Sequence, residues 1–256
     1  QYVTSSDLKK DHADKKQYQD FLDFPNIVLL GDPGSGKSYT FEHFSKFEDA
    51  ELFKARAFSN DADIDVTERC IYIDGLDENR STGNSDSTIN EIIRTIKSFS
   101  PSKVRISCRA QDWLGDTDLS LFKRSFEKSG GYVVLQLCDL TDAEQQSMLE
   151  ILGDNCPTSF IAKASEKSVS SFLVNPQSLL MLHKVVKKNQ QWPETKRDLF
   201  DQATTILITE HNPTLLHLLN QQSSIGELKN IAGALYSLFL ISGLAIIHIS
   251  EPTRVN

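Results

Sequence analysis

The chain has 256 residues, of which 39% are hydrophobic and 24% are charged, and its formal net charge is −8 at pH 7. This length allows a substantial buried core in one large domain or two smaller ones, and the composition excludes a disordered or low-complexity chain. The acidic balance argues against a broad nucleic-acid-binding surface.

The two ends of the chain carry little structural signal. Residues 1–24 are polar and are predicted to form an N-terminal lead-in. The chain begins with Gln1 and not with Met, and it stops at Arg254–Asn256 without a closing element. We therefore expect a fragment of a longer protein. No signal peptide precedes the first strand, which favours a cytoplasmic location.

A glycine-rich octapeptide follows the first apolar run, residues 26–30. It matches the pattern G-x-x-x-x-G-K-[ST]. Beyond it, Phe41, Phe44 and Phe47 recur at helical spacing, so the sequence predicts strand, loop and helix in that order. A glycine-rich surface turn is the alternative, but the flanking elements favour a phosphate-binding loop. Its residues are Gly31, Asp32, Pro33, Gly34, Ser35, Gly36, Lys37 and Ser38.

The loop predicts the class of ligand. Glycine adopts positive φ at little cost, so consecutive backbone N–H groups can turn toward phosphate oxygens. Lys37 would reach the β- and γ-phosphates, and Ser38 would ligate Mg²⁺. The helix that follows, which includes Tyr39, offers its positive end to the anion. We expect this protein to bind a nucleotide with Mg²⁺.

Five segments of β-type residues alternate with helical patterns up to residue 139. Strands alternating with helices imply a parallel sheet covered on both faces, with ligands at the carboxyl ends of the strands. We expect a nucleotide-binding α/β domain over residues 25–139. The predicted strands are residues 26–30, 51–58, 70–74, 103–108 and 132–138.

Acidic residues follow the third of these strands. Asp74 ends the strand, in the position of a second Mg²⁺ contact, and Asp77 and Glu78 lie just beyond it. Glu78 is the candidate for polarising the attacking water. The alternative is an acidic surface turn, but the phosphate loop earlier in the chain favours a metal-binding and catalytic role. Asp74, Asp77, Glu78 and Lys37 are thus the acidic and basic catalytic candidates.

A cation ends the fourth strand. Arg109 would lie beside the Asp74 strand and distinguish a triphosphate from a diphosphate by charge. An ordinary salt bridge with Asp112 or Asp116 is the alternative. Arg124 is a weaker candidate that would act on a neighbouring subunit.

The pattern becomes all-helical after residue 139. Thr141–Glu144 and Ser224–Glu227 are capping boxes, each opening a helix. We expect a helical domain over residues 140–222 and a further domain that begins within residues 223–256. The predicted helices cover residues 142–152, 157–173, 176–189, 195–211, 213–221 and 225–241.

One segment tests the expectation that the protein is soluble. Ile231–Ile249 is nearly free of charge and close to membrane-spanning length. Ser242 and Gly243 interrupt it, which favours a buried helix followed by a strand over a membrane segment.

Three motifs together resemble the NACHT clade of STAND ATPases, the nucleotide switches of animal and bacterial innate-immunity receptors. They are the loop Gly31–Ser38, the string Asp74–Glu78 and Ser107–Arg109. Leu173–Leu182 is similar to the family's N-P-x-x-L-x-x-L segment, and Trp192–Phe200 is similar to a later one. The residues 108–113 resemble those of bacterial antiphage NACHT proteins of the Avs kind.

The resemblance implies an AAA+/STAND-like P-loop NTPase fold, then a helical domain and a truncated winged-helix domain. It implies ATP or ADP with Mg²⁺ as cofactors, with Pro176 packing against adenine, and slow ATP hydrolysis. It further implies self-oligomerisation in the ATP state, effector and sensor domains outside this chain, and a phage or pathogen protein as trigger. The family's switch histidine has no match, since His248 lies too early in its domain.

Two other functions stay open from the sequence. An AAA+-type motor or remodeller would need pore-loop aromatics, and the polar loop Asn79–Thr88 has none. A scaffold that binds nucleotide without hydrolysing it would not need the carboxylates at Asp74, Asp77 and Glu78.

Overall fold

The computed structural model describes residues 2–5, 16–60, 66–77, 85–113, 120–123, 126, 130–211 and 226. These residues belong to two compact units. The first comprises residues 1–144 together with 175–177, and the second comprises residues 145–174 and 178–256. The domain boundaries expected after residues 24, 139 and 222 stay predictions.

The first unit contains a seven-stranded sheet in the order β2-β1-β7-β3-β6-β5-β4. The five strands from β7 to β4 are mutually parallel, which confirms the parallel α/β sheet, and β1 is antiparallel to both of its neighbours. The predicted strands at β3, β5, β6 and β7 are correct to within one residue at each end. The strands are β1 Tyr2–Ser5, β2 Lys16–Gln17, β3 Asn26–Gly31, β4 Glu51–Lys54, β5 Cys70–Asp74, β6 Lys103–Arg109 and β7 Val133–Leu137.

The strand predicted over residues 51–58 is too long. Only Glu51–Lys54 pair with β5, in register with Ile71–Asp74. The chain then turns into helix α2, Ala55–Asn60. Ala55 and Phe58 are both buried, and their spacing places them on one helical face against the core. Helical burial of this pair therefore replaces the extended backbone that the apolar composition suggested.

Helices cover both faces of the sheet. Helix α3, Ser85–Phe99, covers one face together with α2. Helix α3 buries the predicted apolar stripe there, which consists of Ile89, Ile92, Ile93 and Ile96. Helix α1, Lys37–Phe47, packs Phe41 against Tyr72 of β5 on the other face. The three layers give the sheet the two-sided apolar burial expected of parallel strands.

A fully buried arginine lies on the α1 face of the sheet. Arg105 of β6 has no exposed side-chain area, and its Nη1 donates to the carbonyl oxygens of Phe24 at 2.7 Å and Pro25 at 3.0 Å. Its Nη2 donates to the carbonyl oxygen of Leu22 at 2.8 Å. The guanidinium therefore fixes the backbone that leads into β3, and so it fixes the strand that carries the glycine loop.

Glu48, the residue after α1, supplies the compensating charge. Its carboxylate lies 3.4 Å from Nη2 of Arg105 and 3.0 Å from Nζ of Lys103, and it accepts a hydrogen bond from the hydroxyl of Tyr72. Burial would raise the pKa of Glu48, but the Tyr72, Arg105 and Lys103 contacts outweigh it and hold that pKa below its usual value. The buried arginine is thus paired, as a buried charge must be.

Four helices complete the described chain. They are α4 Asp142–Ile151, α5 Pro157–Glu166, α6 Pro176–Asn189 and α7 Lys196–His211. The capping box before α4 is confirmed, because Thr141 Oγ1 accepts from the N–H of Glu144 at 3.3 Å while Glu144 Oε2 accepts from the N–H of Thr141 at 3.0 Å. Within the second unit, Lys187 of α6 donates from Nζ to the carbonyl oxygen of Gly153 at 2.9 Å.

The helix predicted over residues 157–173 ends early, at Glu166. Ser168 takes a left-handed conformation, with φ of 57°, and the N–H of Val169 donates to the carbonyl oxygen of Ala164 at 2.9 Å. This is a C-terminal closure of the helix that satisfies its last carbonyl groups. A short 3₁₀ turn, Ser170–Phe172, follows.

Several expectations lie outside the described residues. They are the helices over 213–221 and 225–241, apart from the helical residue Gly226, as well as the winged-helix start, Ile231–Ile249 and His248. Within the part of the chain that the structure describes, no helix combines the length and apolar character needed to cross a bilayer.

Candidate functional site

The glycine loop joins the carboxyl end of β3 to the first turn of α1. Gly34 and Gly36 have φ of 75° and 97°, which is backbone that residues with a Cβ rarely adopt. Gly36 is the residue immediately before the helix, and no side chain caps it. The first N–H groups of α1 are therefore left for another acceptor, which is the arrangement that binds phosphate at a helix N-terminus.

Lys37 folds back over this loop. Its Nζ donates to the carbonyl oxygens of Gly31 at 2.7 Å and Asp32 at 3.0 Å. Burial lowers the pKa of Lys37, and the Asp77 and Asp74 carboxylates oppose that effect only in part. The ammonium thus lies at the mouth of the loop, where a phosphate would exchange for the two carbonyl groups.

Asp74 joins the loop to the sheet. Its carboxylate is buried and accepts hydrogen bonds on both oxygens: Oδ2 from Ser38 Oγ at 2.8 Å and Oδ1 from Ser107 Oγ at 2.5 Å. Oδ2 also lies 2.6 Å from Nζ of Lys54, its register partner on β4. The loop serine and the strand-end carboxylate are therefore in direct contact.

The electrostatics of Asp74 keep it ionised. Burial would raise its pKa, but hydrogen bonds from Lys54, Ser107 and Ser38 outweigh burial and hold the pKa below its usual value. Ser107 is itself fixed, because its Oγ accepts from the N–H of Gly75 at 2.9 Å. A buried carboxylate held charged and oriented from several sides is suited to binding a cation.

Arg109 forms its ion pair with Asp77. Nε of Arg109 lies 2.8 Å from Asp77 Oδ2, and the backbone N–H of Arg109 donates to Asp77 Oδ1 at 3.0 Å. Arg109 pairs in register with Gly31, so both arrive at the same edge of the sheet. Its side chain is 44% exposed, whereas that of Asp77 is 6% exposed. The cation is therefore beside the loop but is engaged by a carboxylate that the sequence did not suggest as its partner.

The segment Asn175–Gln177 belongs to the first unit and contacts the tip of the loop. Asn175 Nδ2 donates to the carbonyl oxygen of Pro33 at 3.1 Å, and the N–H of Gln177 donates to that of Gly34 at 3.2 Å. A Cβ on Gly34 would lie 2.4 Å from Oε1 of Gln177. The residues around Pro176 thus touch the two loop residues that precede Ser35.

The other predicted site residues are either placed without a described ligand contact or lie outside the described residues. Tyr39 is 74% exposed on α1, and no contact described for it involves the loop. Pro176 is half-buried at the start of α6. Glu78, Asp116 and Arg124 lie outside the described residues, so their roles stay predictions.

The sequence suggested no site contact for four residues, although the last three lie within the motifs named above: Lys54, Ser107, Asn175 and Gln177. A signal for Ser107 was present, because polar residues alternate with apolar ones along β6: Lys103, Arg105, Ser107 and Arg109. In a strand, alternate residues share one face, so this spacing marks a polar line on β6. Lys54 carried no such signal, since a lysine at a strand end is commonplace.

The residues present fit Mg²⁺. Ser38 Oγ and Asp74 Oδ2 are hard oxygen donors 2.8 Å apart, below the first turn of α1. Mg²⁺ usually takes one or two protein ligands and completes its shell with phosphate oxygens and water. The described part of the chain contains no cluster of three or more histidine, cysteine or acidic residues that would hold a metal by itself.

Comparison with known proteins adds little to the geometry. No protein-family model matches the chain, and no curated protein matches it. Among solved structures, it is similar to domain III of the replication initiation protein DnaA from Thermotoga maritima. The two share 14% identity with a TM-score of 0.41, over 70% of this chain and 83% of that one. A likeness this distant assigns neither a ligand nor an activity.

Proposed function

We propose that this chain is the nucleotide-binding module of an ATP-dependent molecular switch. It binds ATP or ADP with Mg²⁺ and slowly hydrolyses ATP, and the bound nucleotide controls self-assembly. The resemblance of its motifs to NACHT proteins favours a role in immune or antiphage signalling, with effector and sensor domains outside this chain. The trigger is a phage or pathogen protein.

The observation that carries the proposal is the contact between Ser38 and Asp74. Ser38 follows the glycine loop after β3, and Asp74 ends β5, which is separated from β3 by β6 in the sheet. The two residues are far apart in sequence, yet their oxygens lie 2.8 Å apart. Ser38 and Asp74 would hold Mg²⁺ at this position, where the cation would supply charge to neutralise the phosphates. A surface turn rich in glycine would not require a buried, charged aspartate beside it.

Different residues of the site would bind the phosphates, hold the cation and orient the attacking water. Lys37 would exchange its carbonyl partners for the β- and γ-phosphates, and Ser38 and Asp74 would hold the cation. Arg109, at the same edge of the sheet, would bind the γ-phosphate by leaving Asp77. Glu78 would orient the attacking water. Water would attack the γ-phosphorus and the bond to the β-phosphate oxygen would break, releasing ADP and phosphate. Such a site acts mainly by positioning and charge, with no covalent intermediate on the protein.

A switch works only if the two nucleotides differ in affinity for two states of the protein. In this proposal, ADP favours a closed monomer and ATP favours an open form that oligomerises. Slow turnover follows, since hydrolysis resets the switch instead of driving work.

The test is nucleotide content and particle size after purification. We expect the wild type to retain ADP and to be a monomer. Lys37→Ala should lose nucleotide affinity by roughly 10- to 100-fold, because charge-assisted hydrogen bonds to phosphate are lost. Lys46→Ala, an exposed lysine on the same helix, is the matched control and should retain nucleotide.

Glu78→Gln separates binding from hydrolysis. With the missing domains supplied, this variant should trap ATP and form a larger assembly. A wild type that binds no nucleotide would contradict the whole proposal. Rapid turnover stimulated by DNA would instead favour a motor, and bound ATP that persists unhydrolysed in the wild type would favour a scaffold.

A further inference from the structure

The ammonium group of Lys54 contacts the Asp74 oxygen that would bind Mg²⁺. Nζ of Lys54 lies 2.6 Å from Asp74 Oδ2, the same oxygen that accepts from Ser38 Oγ. Asp74 Oδ1 is engaged on its other side by Ser107. The positive charge therefore lies on the side of the carboxylate that faces the loop.

The surroundings of the two partners differ. The Asp74 side chain is 4% exposed, whereas that of Lys54 is 57% exposed. Lysine carries its charge on a flexible four-carbon stem, so an exposed lysine can swing into water at little cost. The aspartate cannot move in this way, because Ser107 and Ser38 hold it. The pair thus consists of a fixed anion and a movable cation.

We infer that Lys54 is a tethered competitor of Mg²⁺: its ammonium neutralises Asp74 when no metal is bound and leaves when Mg²⁺ arrives with the nucleotide. This inference rests on the proposed function, since it concerns the same site. The double charge of Mg²⁺ on Asp74 Oδ2 would repel the ammonium of Lys54 strongly at such a short distance. A buried carboxylate left without any cation is also costly. Lys54 therefore makes nucleotide binding less dependent on Mg²⁺ than the loop and Asp74 alone would make it.

Removal of the Lys54 charge should change the affinity for ADP in opposite directions without and with Mg²⁺. Without Mg²⁺, Lys54→Met leaves the Asp74 charge to repel the phosphates, so affinity for ADP falls. With Mg²⁺, the competitor is gone, so the metal binds more readily and affinity for Mg²⁺·ADP rises. We expect the ratio of the two dissociation constants, in EDTA over in Mg²⁺, to increase by roughly fivefold or more, within the usual range of coupling between two ligands.

The experiment is titration of a fluorescent ADP analogue into the protein in EDTA and in millimolar Mg²⁺. Lys46→Met removes the same charge from an exposed position on α1 and is the matched control, whose ratio should equal that of the wild type. Lys54→Arg keeps the charge and should stay within about twofold of the wild type. Lys54→Gln, which keeps a hydrogen-bond donor for Asp74, tests the same loss of charge if Lys54→Met melts before it can be measured.

The outcomes are distinct. An unchanged ratio in Lys54→Met and Lys54→Gln would mean that Lys54 is only a surface ion pair, and it would overturn this inference while leaving the proposed function intact. An equal loss of affinity in both conditions would also overturn it, because Lys54 would then contact the nucleotide directly. Failure of the wild type to bind ADP in either condition would instead remove the proposed function.

Discussion

Asn175 donates a hydrogen bond from Nδ2 to the carbonyl oxygen of Pro33 at 3.1 Å, across 142 positions of the sequence. Its Oδ1 accepts from the N–H of Gln177 at 3.0 Å, so one amide side chain shapes the segment Asn175–Gln177 and also holds that segment on the glycine loop. The loop is therefore linked to a segment that lies far beyond it in the sequence.

Replacement of Asn175 should loosen the loop. Asn175→Ala removes both bonds, and we expect a loss of about 1–2 kcal/mol in the free energy of unfolding, since each ordinary hydrogen bond contributes about 1 kcal/mol. Asn175→Asp keeps an acceptor for Gln177 but cannot donate to Pro33, so it isolates that bond. Urea denaturation gives the stability, and hydrogen exchange of residues 31–38 reports the loop. Unchanged exchange in both variants would contradict the link.

Gly34 has two reasons to be glycine. Its φ is 75°, and a Cβ would lie 2.4 Å from Oε1 and 2.6 Å from Cβ of Gln177. Gly34→Ala should therefore destabilise the protein by more than the ~1–2 kcal/mol of left-handed strain. Gly131→Ala is a matched control, because Gly131 has φ of 98° but a Cβ added there would meet nothing within 4 Å. Thermal melting compares the two.

The difference in stability between Gly34→Ala and Gly131→Ala measures the contact of residue 34 with Gln177. If Gly34→Ala costs no more than Gly131→Ala, the segment around Pro176 does not press on the loop. Gln177→Gly in the Gly34→Ala background should recover part of the extra loss, since it removes the Cβ that the new methyl group would meet.

Ser107 orients the carboxylate of Asp74. It donates to Oδ1 at 2.5 Å and accepts from the N–H of Gly75 at 2.9 Å, and both serine and aspartate are buried. Ser107→Ala should cost about 1–3 kcal/mol in unfolding free energy, because polar groups lose buried partners. It should also raise the pKa of Asp74 and weaken Mg²⁺-dependent nucleotide binding.

Ser45→Ala is the control for Ser107→Ala. Ser45 is buried as well, but its Oγ donates to the carbonyl oxygen of Glu42 within the same helix, at 3.3 Å. It should change stability by less than the Ser107 variant and leave Mg²⁺ dependence unaltered. Equal behaviour of the two variants would show that Ser107 packs without orienting Asp74.

The parts of the fold that the sequence revealed are those governed by local pattern. The glycine loop, β3 and α1 follow from residue types within a short window, and α3 follows from isoleucines at helical spacing. The error at β4 arose because Ala55 and Phe58 are apolar in either conformation. What decided it was pairing with β5, which ends at Asp74 and so leaves residues 55–58 without a partner strand.

The candidate site also contains residues that local sequence pattern indicates and residues that it does not. Lys37, Ser38 and Asp74 are candidates from the sequence alone, because each lies at or after the end of a predicted strand at a characteristic spacing, and the structure brings Ser38 and Asp74 into contact. The partners that tune them come from register between strands, as with Lys54 beside Asp74, or from a distant turn, as with Asn175. No window of the sequence contains those pairs, so only the three-dimensional structure reveals them.

The ion pair between buried Arg105 and partly buried Glu48 gives a pH-dependent prediction. The folded-state pKa of Glu48 lies below its usual value, because the Tyr72, Arg105 and Lys103 contacts outweigh burial. A carboxyl group with a depressed pKa stabilises the fold fully above its unfolded pKa, about 4.3, and loses that contribution as the pH falls through its lower folded value. Stability supplied by Glu48 should therefore be present at neutral pH and vanish in acid.

Glu48→Gln tests this directly. At neutral pH it should lose about 3 kcal/mol of unfolding free energy, because Arg105 is left buried without its counter-charge. Urea denaturation from about pH 7 to about pH 3 should show the gap to the wild type closing as the wild-type carboxylate is protonated. Glu42→Gln, an exposed position on α1, should show a small gap that does not vary with pH in this way. A Glu48→Gln deficit that stays constant across the whole range would mean that lost packing, and not the ionised carboxylate, stabilises Arg105.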